Sequence, residues 1–74
     1  MQIEHLVTMA NQIGDFFKSF PDQEQSKQDI AQHLEKFWAS SMRQQIINYV
    51  QDNNGDCLHT IVKDAIKEHL TVSQ

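Results

Sequence analysis

Residues 1–20 read MQIEHLVTMANQIGDFFKSF. On a helical wheel at about 100° per residue, Phe16, Met9, Phe20, Ile13, Leu6, Phe17, Ala10, Ile3, Gly14 and Val7 fall in that order, across roughly 180°. Gln12, His5, Ser19, Thr8, Asp15, Glu4, Asn11 and Lys18 take the opposite side. A helix that faces only its own core needs an apolar stripe of about 100°. Two explanations fit the excess: several helices of the same domain surround this one, or part of the face meets a partner protein.

The pattern predicts a first helix over 2–19, ended by Pro21, which disfavours helical geometry at Phe20. Asp22 then offers a carboxylate cap for a second helix over 23–37. Ile30, Ala31, Leu34, Phe37 and Trp38 give that helix one apolar stripe. Asp22 to Gln28 carry no apolar side chain, so these first turns are expected to project into solvent or fray. Ser41 with Gln44 three residues on has the form of a capping box, which opens a third helix over 42–51. Gly55, or one of Asn53 and Asn54, closes it in the left-handed conformation. A fourth helix runs from His59 or Thr60 to Leu70, with Ile61, Val62, Ala65, Ile66, His69 and Leu70 on one side. Residues 71–74 are expected to form a loose tail. The expected fold is all-α: one domain over 1–74, a small bundle of about four short helices.

At 74 residues the chain holds one domain, which buries only about 60% of its unfolded surface. Cys57 is the single cysteine, so no internal disulfide supports the fold, in keeping with a reducing compartment. A net charge of −4 argues against duplex nucleic acid, whose phosphates call for clustered Lys and Arg. The polar face of the first helix lacks the basic cluster that binds anionic membranes. No stretch approaches the roughly 20 apolar residues of a membrane span, and the first ten residues lack the pattern of a secretory leader.

Catalytic and metal-binding patterns are thin. His5, His33, His59 and His69 fall on different elements without the i, i+4 pairing of a helical metal site. Cys57-x-His59 lacks the second ligand pair of a tetrahedral centre. A Cys57 nucleophile beside His59 would need a pocket of about 300 Å³ or more, which four short helices are not expected to provide. No Gly-rich phosphate loop is present. The expected catalytic, cofactor and metal sites are none.

The aromatic residues are more telling. Phe16, Phe17, Phe20, Phe37, Trp38 and Tyr49 each bury roughly 150–250 Å² when enclosed, more than this chain readily hides. Phe17 and Phe37 are the first choices for the core. Met9, Phe16 and Phe20 form the outer edge of the broad face, against another chain or against the fourth helix and the 1–2 turn. Gly14 lies beside Val7, Ile3 and Ala10 on the wheel. It marks close approach of another helix, from this domain or from a partner. Arg43, the single arginine, has a planar fork suited to carboxylates, within the domain or on a partner, and Trp38 could flank that surface. Met9, Phe16, Phe20, Trp38, Met42 and Arg43 are the expected partner contacts.

Two segments resemble the delta subunit of NAD-dependent, molybdenum-containing formate dehydrogenases. The first is Met9-Ala10-Asn11-Gln12-Ile13-Gly14-Asp15-Phe16-Phe17. The second is Ile30-Ala31-Gln32-His33-Leu34-Glu35-Lys36-Phe37-Trp38, with Met42-Arg43 after three more residues. Ser40 stands where that family usually carries proline. The resemblance implies a small accessory subunit without redox centres, in a cytoplasmic complex that oxidises formate to carbon dioxide and reduces NAD⁺. Molybdopterin, iron–sulfur clusters and FMN would belong to the larger subunits, of which the catalytic one is the expected partner. A homodimer built on the same face is the alternative.

Overall fold

The apolar stripes become four helices around one core in a computed structural model that describes residues 2–70; the expected tail, 71–74, lies outside the described residues. The helices are α1 (Ile3–Phe17), α2 (Gln23–Phe37), α3 (Ser40–Asn53) and α4 (Thr60–His69).

α1 ends at Phe17, two residues before the expected limit. The Lys18 N–H still reaches the Gly14 carbonyl at 2.8 Å, and the Phe20 N–H then turns back to the Phe17 carbonyl at 3.1 Å. The Gln23 side-chain amide donates to the carbonyls of Lys18, at 3.2 Å, and Phe20, at 3.3 Å. Acceptors that the end of the helix leaves free are thereby satisfied. α2 has its expected bounds, because the Asp22 carboxylate accepts from the Gln25 N–H at 3.2 Å.

α3 is longer than expected at both ends. Ala39 occupies its N-cap without a side-chain bond, so Ser41 and Gln44 form no capping box; Gln44 instead donates to Asn48. Ser40 is the first helical residue, where proline is well tolerated because that N–H has no partner within the helix. At the other end Asn54 takes the left-handed conformation with φ 58°, followed by Gly55 at 65° and Cys57 at 69°. α4 starts at Thr60 with His59 as its N-cap residue.

Leu6 and Ala10 from α1, Ile30 and Leu34 from α2, Ile46 from α3, and Val62 and Ala65 from α4 are fully enclosed. Trp38, Leu58 and Leu70 close the ends of the same core. Burying each large aliphatic side chain contributes about 1.5–3 kcal/mol. α2 and α4 share the most extensive pairing, while α1 touches all three other helices. Part of the breadth of the α1 face is therefore core.

Three expectations need correction. The first turns of α2 neither fray nor stand free. Ser26 is fully buried, its hydroxyl donating to the Phe17 carbonyl at 2.9 Å. Lys27 bridges Glu24 and Glu68, each at 2.9 Å, and so ties α2 to α4. Short polar side chains pack here because each finds a partner, which a reading by hydrophobicity misses. Phe37 is not core: it is 70% exposed, whereas Phe17 is half-buried against the core. The wheel gives the direction of Phe37 but not whether a neighbour stands opposite the last turn of α2. His69 is exposed rather than part of the apolar side of α4.

Candidate docking groove

α1 and α2 leave an open-sided groove of about 490 Å³ between them. Met9, Gln12, Ile13, Phe16 and Phe17 come from α1, and follow from its i, i+3, i+4, i+7 spacing. His33 of α2 and Trp38 just beyond it complete the lining. The groove exceeds the concavity expected of four short helices. A second recess of about 230 Å³ adjoins it through Phe17 and His33, and extends past Asp29, Gln32, Lys36 and Phe37.

Aromatic rings stiffen the rim. Phe16 and Phe17 meet edge-on with centroids 4.9 Å apart, and Phe20 lies 5.5 Å from Phe17 and 5.9 Å from Phe16. His33 stacks obliquely on Phe37 at 4.7 Å. Such contacts fix ring orientation, yet Phe16 remains 65% exposed and Phe20 39%. α1 is surrounded by helices and still leaves aromatic surface uncovered.

The expected contact residues divide. Met9, Phe16 and Trp38 come together in the groove. Met9 is half-buried, while Trp38 is only 6% exposed and belongs to the core as well as to the groove. Phe20 stands beside the groove on the Phe16–Phe17 pair. Met42 is half-buried against the core. One guanidinium nitrogen of Arg43 donates to the main-chain carbonyls of Glu35, at 3.0 Å, and Trp38, at 2.7 Å. Arg43 thus satisfies the end of α2 from within the domain, and neither it nor Met42 lines the groove. Sequence reasoning missed His33, Gln12 and Phe37. The His33–Phe37 pair had a legible signal, its i, i+4 spacing on one helix.

Other polar side chains bind one another and the main chain within the domain. The Asn11 side chain donates to the Cys57 carbonyl at 2.9 Å and accepts from the His59 N–H at 2.9 Å, clasping the α3–α4 loop to α1. His59 faces Asp15 at 3.1 Å, so the imidazole is engaged by a carboxylate. The Tyr49 hydroxyl donates to the Asp56 carbonyl at 2.5 Å. Partial burial pushes that hydroxyl above its ordinary pKa, and the charges of Cys57, Asp56 and Glu4 add to the shift. Hydrogen bonds to Glu24 and then Glu68 hold the Lys27 ammonium well above the usual lysine range, against the opposing effect of desolvation. Glu24, Glu68 and His69 bring ligand atoms within 4.8 Å of one another, but the Lys27 ammonium already binds both carboxylates.

Cys57 alone cannot replace the four thiolates that an iron–sulfur cluster takes. Among the described residues, no Lys or Arg lines the groove. Among the described residues, no helix is long and apolar enough to cross a membrane.

No curated protein and no solved structure matches the chain. One family model matches residues 5–66, a span that contains every residue lining the groove and both segments quoted above. Its description is NADH-dependant formate dehydrogenase delta subunit FdsD, and the chain belongs to that family.

Proposed function

We propose that this chain is a non-catalytic accessory subunit of a cytoplasmic, NAD-dependent formate dehydrogenase. It docks through the α1–α2 groove on a larger subunit, with the catalytic subunit as the first choice, and supports assembly or stability of the complex. The molybdopterin, iron–sulfur, FMN and NAD sites reside in the larger subunits. The observation that carries this reading is the exposed Phe16 on the rim of an apolar groove. Exposed aromatic and Met side chains are the types enriched where proteins meet.

The test is co-purification of the larger subunits with the wild-type chain and with Phe16→Ala and Phe37→Ala variants. Both rings are mostly exposed, so their truncation leaves the fold intact. A central aromatic anchor contributes about 2 kcal/mol or more to binding. Capture and formate dehydrogenase activity should therefore fall together in the variants. Unchanged capture and activity would remove the groove from the interface. A dimer of this chain that ignores the larger subunits would overturn the reading altogether.

A further inference from the structure

His33 is the ionisable residue common to the α1–α2 groove and the smaller recess beside it. It is half-buried, and its imidazole lies against the Phe37 ring with centroids 4.7 Å apart. Phe37 is 70% exposed, so a surface that covers Phe37 also reaches the imidazole it touches. The side chains that α1 brings to the groove are Met9, Gln12, Ile13, Phe16 and Phe17, all uncharged. From α2, Asp29 and Lys36 line the smaller recess, one turn before and one turn after His33. Asp29 already accepts from the Gln25 side-chain amide at 2.9 Å. Arg43 of α3 reaches the end of α2 but donates to the carbonyls of Glu35 and Trp38. One anion and one cation thus flank His33, and open water reaches its ring.

We infer that docking through this face is proton-sensitive: the larger formate dehydrogenase subunit binds the chain with His33 neutral, and protonation of His33 weakens the complex. The inference rests on the docking reading above and adds its regulation. Histidine is the side chain whose ordinary charge change falls between pH 5 and 8. A partner that covers Phe37 takes water from the imidazole, which disfavours the charged form. The α1 side of the groove supplies no carboxylate to compensate, and the centres of protein interfaces are poor in charge. The neutral ring loses less, because its apolar body continues the surface of Phe37. Linkage gives the sign. The docked chain holds the His33 proton less tightly than the free one, so binding releases a proton and weakens as pH falls.

The test measures binding of the larger subunits to the wild-type chain and to His33→Gln between pH 5.5 and pH 8, by calorimetry in two buffers of different ionisation enthalpy. A histidine whose pKa docking lowers by one unit weakens binding about fivefold at the acid end. The wild type should show that weakening and a released proton, and His33→Gln should lose both. Where His33→Gln disturbs the fold, the ring resonances of His33 in the wild-type chain decide, since they should titrate at lower pH in the complex. The same pH profile in both chains, with Phe16→Ala still weakening capture, overturns the proton sensitivity and keeps the docking site. Binding that tightens on acidification in the wild type alone means that the partner brings a carboxylate to His33, and also overturns it. Binding indifferent to Phe16→Ala at every pH overturns the docking reading and this inference together.

Discussion

Val62 of α4 places its Cγ2 where a Cβ on Gly14 of α1 would have to be. The glycine is therefore explained inside the domain, by a side chain of a neighbouring helix rather than by a partner. Gly14→Ala should gain about 1 kcal/mol of helix propensity and lose about 1–3 kcal/mol to overpacking. Val62 is fully buried and β-branched, so it has little freedom to move aside. The expected outcome in urea denaturation is a net loss of about 1 kcal/mol. Combining it with Val62→Ala should show the two effects to be non-additive, because the second change removes the clash.

Asn11 holds the α3–α4 loop through both the Cys57 carbonyl and the His59 N–H. Asn11→Ala should destabilise the domain by about 1–2 kcal/mol and speed amide exchange at His59. Asn11→Asp keeps the acceptor for His59 and loses the donor to Cys57, so its effect should fall between alanine and the wild type. Equal exchange at His59 in all three would remove the clasp from the account.

Arg43 closes the end of α2 with one nitrogen on two carbonyls. Hydrogen bonds from a charged group contribute about 1.5–3 kcal/mol in favourable settings. Arg43→Ala should therefore lower stability and accelerate exchange in the last turn of α2. Arg43→Lys should recover only part of the loss, since a single ammonium does not reproduce the planar fork. Measured on the isolated chain, the effect separates a role inside the fold from a role in docking.

Alkaline pH should weaken the fold. Lys27 and Tyr49 both have pKa values raised above the ordinary 10.5 and 10.0. A raised folded-state pKa means that the folded chain holds its proton more tightly than the unfolded one. The stabilisation is complete below the unfolded values and is lost as pH climbs through the folded ones. Thermal melts should be flat from neutrality to about pH 9 and then fall. Lys27→Met and Tyr49→Phe should each flatten that decline; a decline unaltered in both variants would assign it elsewhere.

Legibility in the sequence followed the physics of each residue. The bounds of α2 were readable because Asp22 acts locally, within three residues of its own position. The single core was readable because each helix repeats its apolar residues at helical spacing, as Leu6 with Ala10, Ile30 with Leu34 and Val62 with Ile66 do. Lys27 was not, since its partner Glu68 is 41 residues away and no local pattern announces it. Ser26 looked solvent-bound by composition, yet it is enclosed because its hydroxyl meets a carbonyl nine residues back. Phe37 sits on the apolar stripe but stays mostly exposed beside His33, and only tertiary arrangement decides that. Met9, Phe16 and Phe20 were legible as an edge; that Met9 and Phe16 enclose a groove with Trp38 and His33 depends on how α1 crosses α2.

The bare rings of Phe16 and Phe37 have a consequence for the life of the molecule before it joins others. A freshly made copy exposes two greasy knobs that any chaperone, protease or aggregate can grasp. If the docking reading holds, survival of the free copy would depend on how soon something covers them, and an excess copy would be fated for disposal. Balanced synthesis of the chain and whatever shields it would be as much a requirement of this fold as any contact inside it.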